Sequence, residues 1–230
     1  LNIKKINLLF IRNLFSGFIN KGFIIFSQIL LIPIFISFWG KQFYGEWILI
    51  STIPNYLTSV DFGINVTTTT AISGLVANGN YKEALKMYKA ANWAFLFLFF
   101  IIITIFINAF LFFNWSKILG LQILGEVEVE LSLFFLIGNV FISFALGVLL
   151  GIYRAEGRYD KFQNFNTLTA ICDQLIILFF VINGKNIFLI SLFQFFVKAF
   201  LYIIFMQNLQ KKYNWFKFGI EKNNKLIFQI

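Results

Sequence analysis

The sequence predicts an all-α membrane protein, a polytopic bundle of about six transmembrane helices. Of its 230 residues, 59% are hydrophobic and only 13% are charged, so too few polar residues remain to cover a soluble domain of this size. The apolar residues form runs of about 20, the length of a helix that spans a bilayer. Backbone groups in lipid must form hydrogen bonds within their own segment, and these runs lack the alternation of a membrane barrel, so we expect helices.

Five of the predicted spans have clear limits, whereas the second does not. The second span begins at Phe43, is apolar to about Val60, and then either stops or continues through Asp61 to Val76. The longer helix would measure about 51 Å, more than the ~30 Å hydrocarbon core, so it would tilt, kink or protrude. Asp61 is then near the middle of the helix, whereas in the shorter version it is an interfacial cap. The other spans are residues 18–39, 93–113, 131–153, 162–182 and 187–206.

Local signals predict breaks and a surface helix. Pro33 and Pro54 lie inside predicted spans, where each favours a kink because it removes a backbone hydrogen bond. Residues 80–91 predict a short amphipathic helix on the membrane surface, capped by Asn80 and Glu83. The alternative is a short solvated loop helix.

The fourth span carries a small residue every fourth position and follows an acidic segment. The spacing of Ser143, Gly147 and Gly151 favours close helix packing. Residues 126–130 contain three glutamates, which indicate a solvated acidic loop, with a divalent-ion site as the alternative.

Lysine and arginine are distributed unevenly between the two sides of the membrane. With the N-terminus in the cytoplasm, the inner segments hold 15 of these residues and the outer loops hold 3, a strong positive-inside signal. The net charge of +9 then reflects orientation and contact with anionic membrane lipids, and we expect no nucleic acid partner.

Composition excludes several site chemistries. Cys172 is the only cysteine, which excludes a disulfide within the chain and a cysteine metal site. The sequence has no histidine, which excludes histidine metal ligands and removes the commonest general base. It also has no glycine-rich phosphate loop and no nucleophile elbow. We therefore expect neither an enzyme nor a bound cofactor or metal.

Three ionisable residues are predicted to be buried deep within the membrane: Asp61, Asp173 and Lys198. A charge at the bilayer centre costs about 2.5–3.5 kcal/mol on the cheapest scales, so these residues should face a cavity or one another. Asp173 and Lys198 lie about 1.5 and 2 Å from the centres of their spans, and a lysine stem bridges a gap of roughly 4 Å. We expect an ion pair between them. The alternative is that each packs with its own polar partner.

Four more polar residues complete a candidate substrate cavity. Gln194 lies one turn before Lys198, and Asn65 lies one turn after Asp61. Lys21 and Gln28 are two turns apart on the first span. Lys21 either lines a cavity mouth or snorkels to the cytoplasmic interface.

The order of several motifs resembles that of a transporter family. Phe-Tyr-Gly-Glu-Trp at 43–47 is followed, after an apolar stretch, by Asp-Phe-Gly-Ile at 61–64. A basic segment follows Asn-Gly-Asn at 78–80, and Gly-Ile-Tyr-Arg-Ala-Glu-Gly-Arg-Tyr at 151–159 ends the fourth span. This pattern resembles the polysaccharide-biosynthesis flippases of the O-antigen type, within the multidrug/oligosaccharidyl-lipid/polysaccharide exporter superfamily. The spacing from Tyr-Gly-x-Trp to Asp-x-Gly is its most specific element.

The resemblance implies a two-lobe transporter of the bacterial cytoplasmic (inner) membrane. Residues 1–210 would form the N-terminal six-helix lobe. Residues 211–230 would form the cytoplasmic connector and the start of a seventh helix in a truncated chain. Such a transporter flips a polyprenyl-pyrophosphate-linked oligosaccharide by alternating access, for the synthesis of lipopolysaccharide O-antigen or capsule. Implied partners are this lipid-linked oligosaccharide, membrane lipids and other polysaccharide-assembly membrane proteins. Coupling to a proton or sodium gradient through Asp61 or Asp173 is a further hypothesis.

Three other functions stay open at this point. The nearest is a drug or small-solute exporter of the same superfamily. The second is a membrane glycosyltransferase or polymerase of polysaccharide assembly, although such enzymes usually carry large outer loops and the outer loops here are short. The third is a non-transporting scaffold, in which the polar residues within the spans serve only packing.

Overall fold

A computed structural model describes residues 3–61, 63–184 and 186–216 with most of their side chains, and these residues form helices and no strand. Five helical segments are long and apolar enough to cross a membrane, which agrees with the all-helical, multi-pass prediction. They lie in α1, α3, α5, α6 and α7. The elements are α1 Ile3–Leu57, a 3-10 helix Thr58–Asp61, α2 Ile64–Ala77, α3 Tyr81–Phe112, α4 Trp115–Ile118, α5 Glu126–Ala155, α6 Tyr159–Asn183 and α7 Ile187–Lys212.

Helix α1 consists of two limbs joined at Gly40. This residue has φ 79° and ψ 163°, a conformation that is essentially restricted to glycine. The rings of Phe35 and Tyr44 are 5.0 Å apart, although nine residues of a straight helix would separate them by about 13.5 Å along the axis. The chain therefore bends sharply between the predicted first and second spans. The residue of α1 with non-helical φ and ψ is this glycine, whereas Pro33 and Pro54 lie inside its helical limbs.

The second predicted span is interrupted rather than continuous or cut short. Helix α1 ends at Leu57, the 3-10 turn follows, and α2 begins after Gly63, whose φ of 76° is left-handed. Helix α2 then runs beside α5, where the Asn65 Nδ2 donates a hydrogen bond of 3.1 Å to the carbonyl oxygen of Phe144. The structure is thus intermediate between the two predicted versions, with a helix on each side of Asp61.

Helix α5 is the centre of the bundle. It contacts α1, α2, α3, α6 and α7. Sixteen of its residues are buried, against four in α6. The predicted close packing at Gly147 and Gly151 is confirmed, because a β-carbon at either position would collide with Asn65 or Thr69 of α2.

Two predictions at the helix ends are wrong. Residues 81–91 are not a separate surface helix, since they form the start of α3, with Ala84 and Tyr88 fully buried. The Asn80 side chain caps nothing, and Glu83 pairs with Lys86 at 2.6 Å instead. The glutamates of residues 126–130 do not form a loop either. They open α5, where the positive end of the helix dipole stabilises negative charge.

The loop between α4 and α5 is held by one buried carboxylate. The Glu46 oxygens accept hydrogen bonds of 2.9–3.3 Å from the backbone N–H groups of residues 122–124. Glu46 is only 5% exposed and lies next to the buried Trp47. The first part of the motif at 43–47 therefore ties the second limb of α1 to this loop.

Residues 213–216, which follow α7, fold back onto the bundle. The Trp215 Nε1 donates a hydrogen bond of 2.8 Å to Glu156, and its ring stacks on Tyr81 at 5.4 Å. Phe216 is fully buried against Tyr88. The described part of the predicted connector is thus packed, while the predicted start of a seventh helix, in 217–230, lies outside the described residues.

Candidate functional site

The predicted ion pair joins α6 and α7 inside the bundle. The Lys198 Nζ lies 3.0 Å from the Asp173 Oδ2, and the two side chains are 11% and 22% exposed. The short connection between the two helices makes them antiparallel neighbours, which brings residues near their centres together. The ion pair therefore lies among apolar helices and is largely shielded from water.

A third helix completes the surroundings of the lysine. The Lys198 Nζ donates a hydrogen bond of 3.2 Å to the Ser143 Oγ, which itself donates one of 2.7 Å to the carbonyl oxygen of Asn139. A buried ammonium is tolerated only when hydrogen bonds and an opposite charge replace its hydration. Ser143 supplies part of this replacement, so its role goes beyond the helix packing that the sequence predicts.

Two hydrogen-bond acceptors on the helices that surround the ion pair, one on α5 and one on α6, are buried and unsatisfied. The Asn139 Oδ1 and the Gln174 Oε1 have no hydrogen-bond partner among the described residues. Asn139 lies one turn from Ser143, and Gln174 follows Asp173. A buried acceptor without a donor costs about 1–3 kcal/mol, so both oxygens would be stabilised by a hydroxyl or N–H donor. Sequence reasoning missed both residues, although Asn139 has the same four-residue spacing as Ser143.

The interrupted second span lies at the same level of α5 as the ion pair. Asn65 contacts the backbone at Phe144, the residue after Ser143. Ser143 and Phe144 both lie within about 5 Å of the centre of α5 along its axis. The Asp61 Oδ1 accepts a hydrogen bond of 3.0 Å from the Asn65 N–H and so caps the start of α2. Asp61 is therefore a cap, as in one predicted version, but the helix that it caps lies beside the interior of α5.

The structure brings some predicted site residues together and leaves others apart. Gln194 is buried one turn before Lys198 on α7. Lys21 is exposed, and α1 contacts α6 there through its neighbour Asn20, whose Nδ2 donates a hydrogen bond of 2.8 Å to Thr167. The Gln28 side chain lies outside the described residues. Two pairs of these residues are in direct contact, Lys198 with Asp173 and Asp61 with Asn65. We refer to them, together with Gln194, as the mid-bundle polar cluster, and Lys21 does not belong to it.

The side chains that the structure describes contain no group of three or more His, Cys, Asp or Glu residues arranged to hold a metal ion. The polar cluster contains one ammonium, two carboxylates and two side-chain amides. Carboxylates and amides bind hydroxyl groups, and the ammonium is available to an anion only when it leaves Asp173.

The fold and the cluster define a class, an all-helical chain with several helices long enough to span a membrane and charged residues inside the bundle. No protein-family model matches this chain. No curated protein and no solved structure matches it either.

Proposed function

We propose that this chain is a lobe of a transporter that flips a polyprenyl-pyrophosphate-linked oligosaccharide across the bacterial cytoplasmic membrane, with its N-terminus in the cytoplasm. The observation that carries the proposal is the Lys198–Asp173 pair within the bundle, 3.0 Å between charged atoms. Ionisable residues inside membrane segments are costly and are typical of substrate and ion pathways. A scaffold would reach the same stability with apolar side chains at both positions.

The shape of the described chain from α1 to α2 supports a lobe of six spans. The apolar part of α1, Gly17–Leu57, would be about 62 Å long if straight, twice the ~30 Å core. The bend at Gly40 divides it. Its second limb, the 3-10 turn and α2 then form one interrupted span, which brings the total to six. Interrupted helices at mid-membrane are typical of transporter binding sites.

The cluster supplies the contacts that such a substrate needs. In the proposed mechanism, the Lys198 ammonium moves from the Asp173 carboxylate to the pyrophosphate, whose oxygens accept strong charge-assisted hydrogen bonds. Asp173, left without its partner, then takes up a proton or a cation, which couples transport to an ion gradient. The oxygens of Asn139 and Gln174 accept hydrogen bonds from sugar hydroxyls.

The test is complementation in the native host after deletion of the gene that encodes this chain. Surface polysaccharide is quantified by staining, and insertion of each variant by immunoblot of membranes. We expect the wild-type gene to restore display and Asp173→Asn/Lys198→Met, which leaves no unpaired charge, to abolish it at normal insertion. Restoration by this double variant to the wild-type level would contradict the proposal, as would unchanged surface polysaccharide in the deletion strain.

An apolar groove favours a second candidate, an exporter of small apolar solutes. The groove lies between α3, α5 and α7, has a volume of about 480 Å³, and is lined mainly by apolar residues such as Phe99, Ile142 and Ala199. Ala199→Phe should fill it. If this variant sensitises cells to apolar drugs while surface glycan display is normal, the exporter is favoured over the flippase.

A further inference from the structure

A second cavity lies at the end of the bundle where α5 joins α6 and where α7 ends. It has a volume of about 450 Å³, close to that of the apolar groove, but its lining is different. Three lysines and an asparagine surround it, and two aromatic rings form its inner wall. The lining residues are Tyr153, Lys161, Phe165, Asn208, Lys211 and Lys212.

The basic side chains at this end of the bundle outnumber the carboxylates near them. Asp160 pairs with Arg158 at 3.3 Å, and Asp160 and Glu156 offset only part of the positive charge of Arg158 and the three lysines. No carboxylate of the described residues lies within 4.0 Å of the ammonium groups of Lys161, Lys211 or Lys212. Three like charges around one opening repel each other, and an anion between them relieves that repulsion.

Aromatic rings favour a cation here and add no negative charge. The Lys212 Nζ lies 5.6 Å from the Tyr153 ring centroid and 5.2 Å from that of Tyr213. Burial, and then the charge of Glu156, raise the pKa of Tyr213 to about 12, so its phenol is neutral at physiological pH. Burial, and then the positive charges of Arg158 and Lys161, lower the pKa of Lys212, as expected where basic side chains lie close together.

The cavity lies at the depth expected for the boundary between membrane and water. Lys161 and Phe165 lie one turn apart at the start of α6, so the lining changes from charged to aromatic toward the bundle centre. Asn208 and Lys211 are 10 and 13 residues beyond Lys198 on α7, about 15–20 Å along the helix from the mid-bundle cluster. Lipid phosphates lie at this depth, and basic pockets between transmembrane helices bind lipid head groups.

We propose that this lysine cavity binds the phosphate head group of an anionic membrane phospholipid, held by Lys161, Lys211 and Lys212, with its acyl chains along the apolar surface of the bundle. The site is separate from the mid-bundle cluster and does not rest on the proposed transport function.

The test is lipid retention by the purified full chain, measured by native mass spectrometry. The probes are phosphatidylglycerol, phosphatidylcholine and inorganic pyrophosphate. The test variant is Lys161→Gln/Lys211→Gln/Lys212→Gln. A matched control, Lys82→Gln/Lys86→Gln/Lys89→Gln, removes the same charge from the start of α3, at the same end of the bundle. This position follows from the contact of Tyr81 with Trp215, which binds Glu156 at the end of α5.

We expect wild type and control to retain phosphatidylglycerol in preference to phosphatidylcholine, and the test variant to bind it at least about tenfold more weakly. Lys161→Gln alone should weaken binding several-fold, which keeps the test decisive if the triple variant does not insert. Equal weakening by both triple variants would overturn the proposal, since it would indicate general charge attraction. Binding of inorganic pyrophosphate as tightly as phosphatidylglycerol would also overturn it, in favour of a soluble anion.

Discussion

The lysine within the bundle is paired with a carboxylate, whereas the three lysines of the cavity at the end of the bundle are not. The Lys198 ammonium lies 3.0 Å from a carboxylate and 3.2 Å from a hydroxyl, whereas Lys161, Lys211 and Lys212 line an open cavity. None of these three forms an ion pair with a described carboxylate. An interior charge must replace its hydration with protein groups, while a charge at the membrane boundary keeps water or a ligand. The interior lysine is thus neutralised within the protein, whereas the three lysines at the end of the bundle line a cavity that is open to binding.

The largest effect should come from breaking the interior pair on one side only. Asp173→Asn or Lys198→Met leaves an uncompensated charge among apolar helices, and we expect each to lower the free energy of unfolding by about 3–5 kcal/mol. The measurement is unfolding of each variant in mild detergent. The double variant should recover most of this loss, because both charges are then absent. Additive losses in the double variant would show that the two residues act independently.

Removing a buried carboxylate that accepts hydrogen bonds from backbone N–H groups should also destabilise the protein, because those groups lose their partner. Glu46→Ala removes the acceptor of three N–H groups in the loop at residues 122–124. We expect a loss of about 2 kcal/mol, less than for the ion pair because a loop at the end of the bundle regains hydrogen bonds with water. The control is Glu126→Ala, an exposed position, where the change should stay within about 0.5 kcal/mol. Equal melting temperatures for the two variants would refute this role of Glu46.

A smaller effect should follow from separating the two helices that meet beside the interior cluster. A β-carbon at Gly147 would lie 2.6 Å from the Asn65 Oδ1, so Gly147→Ala pushes α2 away from α5. We expect a loss of about 1–2 kcal/mol in the free energy of unfolding. Gly74→Ala on α2 meets no atom within 4 Å and should be neutral or stabilising. Destabilisation by Gly74→Ala as large as that by Gly147→Ala would argue against a specific contact.

The smallest effect on stability should come from the cavity lysines. Replacing Lys161, Lys211 and Lys212 with glutamine removes three unpaired charges, and we expect a change within about 0.5 kcal/mol in lipid-free detergent. Addition of phosphatidylglycerol should raise the melting temperature of the wild type but not that of the triple variant. A large loss of stability without lipid would mean that these lysines hold the fold together.

Much of the helical architecture follows from the sequence because the bilayer restricts it so strongly. Long apolar runs must be helices, and the runs predicted for the last three spans lie within α5, α6 and α7. The depths of Asp173 and Lys198 also predict their pairing, since a short connection makes the two helices antiparallel.

Other features depend on contacts that no local pattern specifies. In the sequence, the bend at Gly40 appears only as a gap between two apolar runs. Prolines are a known signal for a helix kink, so the sequence predicts kinks at the prolines and not a bend at Gly40. The role of Ser143 depends on which helix faces α7, and that of Glu46 depends on a loop 76 residues away. The lysine cavity combines residues from three helices, and in sequence its lysines count only as a positive-inside signal.

The central claim is that the interior pair serves transport and is not only a packing device. The most direct test is surface polysaccharide display by the deletion strain carrying the double variant Asp173→Asn/Lys198→Met, normalised to the amount of inserted protein. This variant should fold and insert nearly as well as the wild type, because neither charge is left unpaired. We expect display to be lost despite normal insertion. Display at the wild-type level would contradict the claim and would reduce the pair to a structural role.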